Sequence, residues 1–343
     1  MKKKQINFSF GEPFLATEII SSINIKIATL SKGCGLSYTD YPTIINNNKF
    51  IVNNLYKNIL NINLNNEEIK IIIGIGTTQL FNAYNYSINK IENKNIDILN
   101  NNSISYNLYR NICEKTPYLN YNNSIFTLNN EHTKVNFIIS PNMPTGEIFN
   151  EKINDDDYYL CDVCLDYPCF TMCSETCNKK IYSEFNKKNN ITIISSFSKI
   201  GIPGVHFGFL ITKNNKIEKY VNEFIDFNIL AYPPALSIIT KKIYDKYLCK
   251  KYFYNKIKKI IIYRKKKIIY FFKSIFVQVI NVNNINDSFP FLYTDKSIDW
   301  WKINHDILTK PGRCFEESNK NSRFDLLMSN ENFKILNRKI SKY

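Results

Sequence analysis

The chain has 343 residues, 44% of them hydrophobic, and a formal net charge of +15; that length buries about three quarters of the unfolded surface and closes a core without help from disulfides. The charge would allow contact with nucleic acid or an acidic membrane, but the basic residues are dispersed, no nucleic-acid module stands out, and the densest run, residues 256–267, patterns as a solvated helix face. The longest apolar stretch, residues 268–280, is broken by Lys273 and Gln278 and is too short to span a bilayer, so the composition predicts a cytoplasmic protein with neither a nucleic-acid nor a membrane partner.

In chain order, residues 1–4 are basic like the start of a signal peptide, but residues 5–10 supply no apolar segment to follow them. Apolar runs at 69–74, 96–99, 135–140, 158–162, 191–196 and 207–212 predict buried strands, and residues 79–91 and 106–113 predict helices. This alternation predicts an α/β fold with a largely parallel sheet between helices. After Pro233 and Pro234 the pattern turns to long amphipathic helix, followed by strands at 276–282 and 322–327 in a smaller α+β unit. The expected layout is a large domain over 43–235 and a small one built from 1–42 and 236–343. Asn-rich stretches at 46–48 and 100–102 pattern as loops.

Nine cysteines without an apolar leader indicate a reducing compartment. Five of them cluster: Cys161, Cys164, Cys169, Cys173 and Cys177. Such spacing can ligate zinc, but residues three apart on a strand point to opposite faces, and no metal is expected.

The most informative residue is Lys199, in a Ser-Phe-Ser-Lys run between an apolar strand and the turn Gly201-Ile202-Pro203-Gly204. An amine in a partly apolar pocket loses its proton more easily and becomes a nucleophile able to form an imine with an aldehyde cofactor. Three other strand ends supply complementary chemistry. Residues 71–79 form a strand, a glycine turn and a helix start, with Thr77 and Thr78 suited to a phosphate. Asp162 ends an apolar strand, where a carboxylate can pair with a protonated pyridine nitrogen. Residues 140–146, Ser-Pro-Asn-Met-Pro-Thr-Gly, form a rigid turn, and Ser196 and Ser198 add hydroxyls beside the lysine.

Taken together, these segments resemble the fold-type I pyridoxal-phosphate enzymes of the class I/II aminotransferase group. The resemblance covers residues 8–327 and rests on Gly11-Glu12-Pro13, GIGTTQ at 74–79, SYNLYR at 105–110, SPNMPTG at 140–146, CD at 161–162, SFSKIGIPGVHFGF at 196–209, PGRCF at 311–315 and SRFDLL at 322–327. Gly-Thr-Thr-Gln-Leu and Phe-Ser-Lys-Ile are most similar to the alliinase and tryptophan-pyruvate aminotransferase branch. The resemblance implies a large domain with a mostly parallel seven-stranded sheet sandwiched by helices, a smaller α+β domain, and pyridoxal 5'-phosphate as cofactor. It implies a Schiff base at Lys199, Asp162 on the pyridine nitrogen, Tyr106 stacked on the ring, and Asn142 and His206 among the cofactor contacts. Thr77, Thr78, Ser196 and Ser198 would hold phosphate. Arg323, with Gly11, would take the substrate carboxylate through a bidentate fork. A homodimer is implied, with Tyr38 or Tyr41 reaching in from a second subunit, and amino acids and 2-oxo acids as substrates.

Three positions depart from that pattern. Met143 and Leu165 stand where an Asn and a Tyr donate to the cofactor's phenolic oxygen, and His206 stands where an Arg clamps phosphate. Each lost hydrogen bond to a charged group removes roughly 1.5–3 kcal/mol, and an imidazole cannot supply a guanidinium's fixed charge and fork. Weaker cofactor binding is expected, and a raised pKa for the imine. Transamination is the leading expectation. A carbon–sulfur lyase of the same fold and a non-catalytic descendant are the alternatives.

Overall fold

The structure is a computed structural model that describes residues 6–7, 13–20, 41–64, 68–102, 106–122, 131–171, 177–229, 231–281, 286–315 and 320–340. The elements run β1 (Ile6–Asn7), α1 (Phe14–Ile20), α2 (Tyr41–Asn54), β2 (Lys70–Ile75), α3 (Gly76–Glu92), β3 (Ile96–Asn100), α4 (Leu108–Cys113), β4 (Leu119–Asn122), β5 (Thr133–Ile139), β6 (Tyr158–Asp162), α5 (Lys179–Lys187) and β7 (Ile191–Ser196). They continue β8 (Phe207–Thr212), α6 (Asn215–Ile229), α7 (Pro234–Ile243), α8 (Lys251–Ser274), β9 (Phe291–Thr294), α9 (Ile298–His305), β10 (Ile307–Leu308), β11 (Lys310–Pro311), β12 (Ser322–Asp325) and α10 (Asn330–Ile340).

The fold is the expected α/β one, with a seven-stranded sheet in the order β2-β8-β7-β6-β5-β3-β4. β8 runs antiparallel to both its neighbours, and the other strand pairs are parallel. Both faces are covered, and the period of two divides the strands between two cores. Phe137, Leu160, Ile194 and Leu210 pack with Leu80, Phe81 and Tyr84 of α3 and Ile217 and Val221 of α6. Ile138, Cys161, Ile193 and Ile211 pack on the opposite side with Ile181 and Phe185 of α5 and with α2.

Two strand assignments differ from the sequence pattern. β4 carries two Asn in four residues and lies at the sheet edge, so it shows no continuous apolar run. Residues 276–281 do not form a strand: Phe276 takes φ 56° after α8, and Val279 makes a single bridge to Thr294. The strand in this region is β9, which pairs antiparallel with β12 in a three-stranded sheet. The chain's N-terminal elements dock on its C-terminal ones: β1 pairs with β10, and the Leu15 amide donates to the Leu327 carbonyl at 2.8 Å.

Six strands of the large sheet point the same way, so the ends of β2, β5, β6 and β7 share one rim with the start of β8. At this rim the backbone of β8 approaches the first residue of α3. A Cβ on Gly208 would lie 2.7 Å from the Gly76 backbone, and Gly76 itself takes φ +68°. Gly208→Ala is therefore expected to force these two segments apart and cost about 1–3 kcal/mol of stability. Urea unfolding would show a lower midpoint, and an unchanged midpoint would contradict the close approach.

Candidate active site

The carboxyl rim of the sheet opens into a cavity of ≈ 690 Å³ whose wall includes Thr77, Thr78, Tyr106, Asp162, Ser196, Ser198, Lys199 and His206. Its position at the strand ends follows from topology, because in open α/β sheets the strand carboxyl ends and the loops leaving them form the crevice.

Asp162, the last residue of β6, is 6% exposed. The Tyr109 hydroxyl donates to its Oδ2 at 2.5 Å, and the Cys164 amide donates to its Oδ1 at 2.9 Å. Burial raises the Asp162 pKa; the donors from Tyr109 and Cys164 and the nearby Lys199 act in the opposite direction. Tyr109 also stands 3.3 Å from Thr77 Oγ1, which ties α4 to the start of α3.

Lys199 sits in a short 3-10 turn, Phe197–Ile200, directly after β7. The turn begins with Ser196 Oγ accepting from the Ser198 amide at 3.4 Å and ends at Gly201 with φ 117°. A side chain at Gly201 would collide with Ala16 and Ile20 of α1, and Thr17 Oγ1 donates to the Gly201 carbonyl at 3.0 Å. The N-terminal helix thus fixes the turn that carries the lysine. Removal from water lowers the Lys199 pKa, the Arg323 charge lowers it further, and Asp325, Cys164 and Asp162 oppose the shift.

Gly76, Thr77 and Thr78, the first turn of α3, form the next part of the wall. The Gly76 amide donates to the His206 carbonyl at 2.6 Å, which holds the helix start against the beginning of β8. His206 takes φ 50° and its side chain is on the cavity wall. A helix start, whose first-turn amides have no acceptor within the helix itself, hydroxyls from Thr77, Thr78, Ser196 and Ser198, and an imidazole make a polar cup suited to an anion. Tyr106 is also on the wall, with the Lys310 ammonium 5.2 Å from its ring centre.

Two of the sequence candidates lie behind the wall. Asn142 is fully buried, and its amide nitrogen donates to Thr145 Oγ1 at 2.8 Å within the turn; its side chain does not reach the cavity. Arg323, on β12, is 2% exposed and also off the wall, with its guanidinium over the Phe291 ring at 4.2 Å and Nη1 3.0 Å from Met143 Sδ. Burial lowers its pKa, opposed by Asp325, and burial pushes Asp325 up to about 6. Gly11 and Tyr38 fall outside the described residues, as does the side chain of Tyr41.

Met143 and Leu165 do line the cavity. Sequence reasoning gave no role to Tyr109, Cys164 or Asp325. Tyr109 carried a usable signal, since it lies three residues after Tyr106 and so one helical turn on. Asp325 carried one too, lying two positions after Arg323 on a strand and hence on the same face. Of the clustered cysteines, Cys161 and Cys169 are core residues, Cys164 lies 3.5 Å from Ser196 Oγ, and Cys177 Sγ lies 3.1 Å from Asp166 Oδ1. Cys173 is outside the described residues, among which no three His, Cys, Asp or Glu side chains are grouped to hold a metal. Among the same residues no helix is long and apolar enough to cross a membrane.

The family described as Allinase matches residues 6–247. A solved structure from Methanococcus jannaschii, described as similar in its active site to kynurenine aminotransferases, is 17% identical, with 99% of this chain and 92% of that one covered at a TM-score of 0.69. YbdL from Escherichia coli, with a methionine aminotransferase function, is 9% identical over 99% of this chain and 94% of its own, at a TM-score of 0.71. Aspartate aminotransferase from Thermus thermophilus is 9% identical over 98% and 91%, at a TM-score of 0.69. No curated protein matches the sequence significantly. The chain belongs to the allinase family and shares the fold of the pyridoxal-phosphate-dependent fold-type I enzymes.

Proposed function

We propose that the protein is an aminotransferase that moves an amino group between an amino acid and a 2-oxo acid with pyridoxal 5'-phosphate. The observation that carries this reading is one cavity with an amine of lowered pKa, Lys199, and a buried carboxylate, Asp162, on its wall. The donor set fits the cofactor: a polar cup for a phosphate, a carboxylate for a ring N–H, an amine for an aldehyde, and Tyr106 and Ile139 as ring-sized walls. When bound, the cofactor supplies an electron sink for charge left at the substrate's α-carbon.

The protein's own groups divide the remaining work. Asp162 would hold the protonated ring nitrogen, with Tyr109 and the Cys164 amide keeping the carboxylate ionised. Lys199 would hold the cofactor covalently and, as a neutral amine, move the proton at the α-carbon. Thr77, Thr78, Ser196, Ser198 and His206 would anchor the phosphate. Arg323 would receive the substrate carboxylate. Leu165 and Met143 give the ring oxygen no strong donor, which supports modest cofactor affinity. A homodimer is part of the proposal. Membership of the allinase family favours elimination at the β-carbon as the second reading, since both reactions begin with the same proton removal.

A panel of amino acids and 2-oxo acids supplied with the cofactor tests the choice. Transamination yields a new amino acid, elimination yields ammonia and pyruvate, and neither product with any pair contradicts both. Lys199→Ala is expected to lower the rate by at least about a hundredfold.

Asp162 also predicts a pH dependence. Its pKa is raised, so it takes up a proton at higher pH than an ordinary carboxylate as pH falls, and cofactor retention declines in mild acid. Tyr109→Phe removes a donor to the ionised form and raises that pKa further. Equilibrium dialysis should show retention about 10- to 100-fold weaker, corresponding to one charged hydrogen bond, with the acid-side decline moved to higher pH. A variant with an unmoved pH profile would contradict this role.

A further inference from the structure

Arg323 is the most deeply buried cation near the cavity, and its surroundings are unusual for a guanidinium. Two aromatic rings flank it, Phe291 at 4.2 Å and Phe315 at 5.3 Å. Among the described residues its Nε has no hydrogen-bond partner. Its Nη1 faces the Met143 thioether at 3.0 Å, and sulfur of this kind is a weak acceptor. Asp325 balances the charge from the next same-facing position on β12. A buried fork of donors without a strong acceptor is poised for an anion. Yet the guanidinium is not on the cavity wall, whereas Met143, which touches it, is half-buried there.

We propose that Met143 is a movable plug over Arg323: the substrate's carboxylate reaches the guanidinium by displacing the thioether, and Met143 thereby limits how tightly carboxylates bind. The inference rests on the reading of Arg323 as the carboxylate site. Methionine suits the task, because three rotatable bonds and a soft, unbranched chain let it leave and return at little cost. Charge balance from Asp325 lets the plugged state persist without substrate, and the carboxylate then exchanges a weak S contact for a charge-assisted pair. The plug also offers a methyl group to the incoming molecule, so a carboxylate with an apolar tail loses least when it enters.

The test uses the cofactor-loaded protein and hydrocinnamate, a monocarboxylate with an apolar tail and no amino group. Calorimetric titration is expected to show binding that Arg323→Lys weakens at least about tenfold, because a lysine lacks the fork. Met143→Ala is expected to bind about 2- to 10-fold tighter, the span of one side chain's ordering cost, while Met143→Leu, which keeps the bulk, stays near the parent. The chain has only four methionines, so the 13C-methyl resonance of Met143, assigned by its absence in Met143→Leu, should shift on hydrocinnamate addition in the parent and much less in Arg323→Lys. Binding that depends on Arg323 with no gain in Met143→Ala and a stationary methyl resonance overturns the plug and leaves the carboxylate site standing. Absence of binding, or binding indifferent to Arg323→Lys, overturns both.

Discussion

A carboxylate removed from water at the end of β6 is the constraint around which this site is arranged. Burying an isolated ion costs several kcal/mol even after relaxation. The chain answers with two donors on Asp162, the Tyr109 hydroxyl and the Cys164 amide, each charged hydrogen bond offsetting roughly 1.5–3 kcal/mol. The Lys199 charge acts in the same direction as these donors, towards the ionised carboxylate.

Several remote segments exist to hold that geometry. α1 packs on the Gly201 turn and fixes Lys199. The contact between Gly208 and Gly76, with the Gly76 amide on the His206 carbonyl, sets the start of α3 against β8. The Asn107 amide donates to the Cys314 carbonyl at 3.0 Å, bringing the loop before α4 to the segment that follows β11. Arg323 comes from β12 of the smaller sheet and lies behind the cavity wall against Met143.

Much of this was legible in the residues. The apolar runs of β2, β3, β5, β6, β7 and β8 announce themselves because a sheet covered on both faces needs unbroken hydrophobic strands, and the family follows from the turns at their ends. The edge strand β4 was not legible, since its Asn residues carry no burial signal. Residues 276–281 misled because their apolar residues are unevenly buried, Val277 at 6% exposed but Phe276 at 90% and Ile280 at 47%, and their pairing with β9 stops at one bridge. At the site, motif order located Lys199, Asp162, Thr77 and Thr78 on one cavity wall. It missed that Asn142 turns inward to Thr145 and that Arg323 lies behind Met143, because side-chain direction within a Pro-bounded turn and contacts across 180 residues are set by tertiary packing.

Met143, Leu165 and His206 share the cavity wall with Lys199 and Asp162. The direct measurement is to incubate the protein with pyridoxal 5'-phosphate, reduce with borohydride, and map the modified peptide by mass spectrometry. The account predicts a phosphopyridoxyl group on Lys199 at near-stoichiometric yield, sharply reduced by Asp162→Ala. Label spread over surface lysines, with Lys199 unmodified, would contradict it.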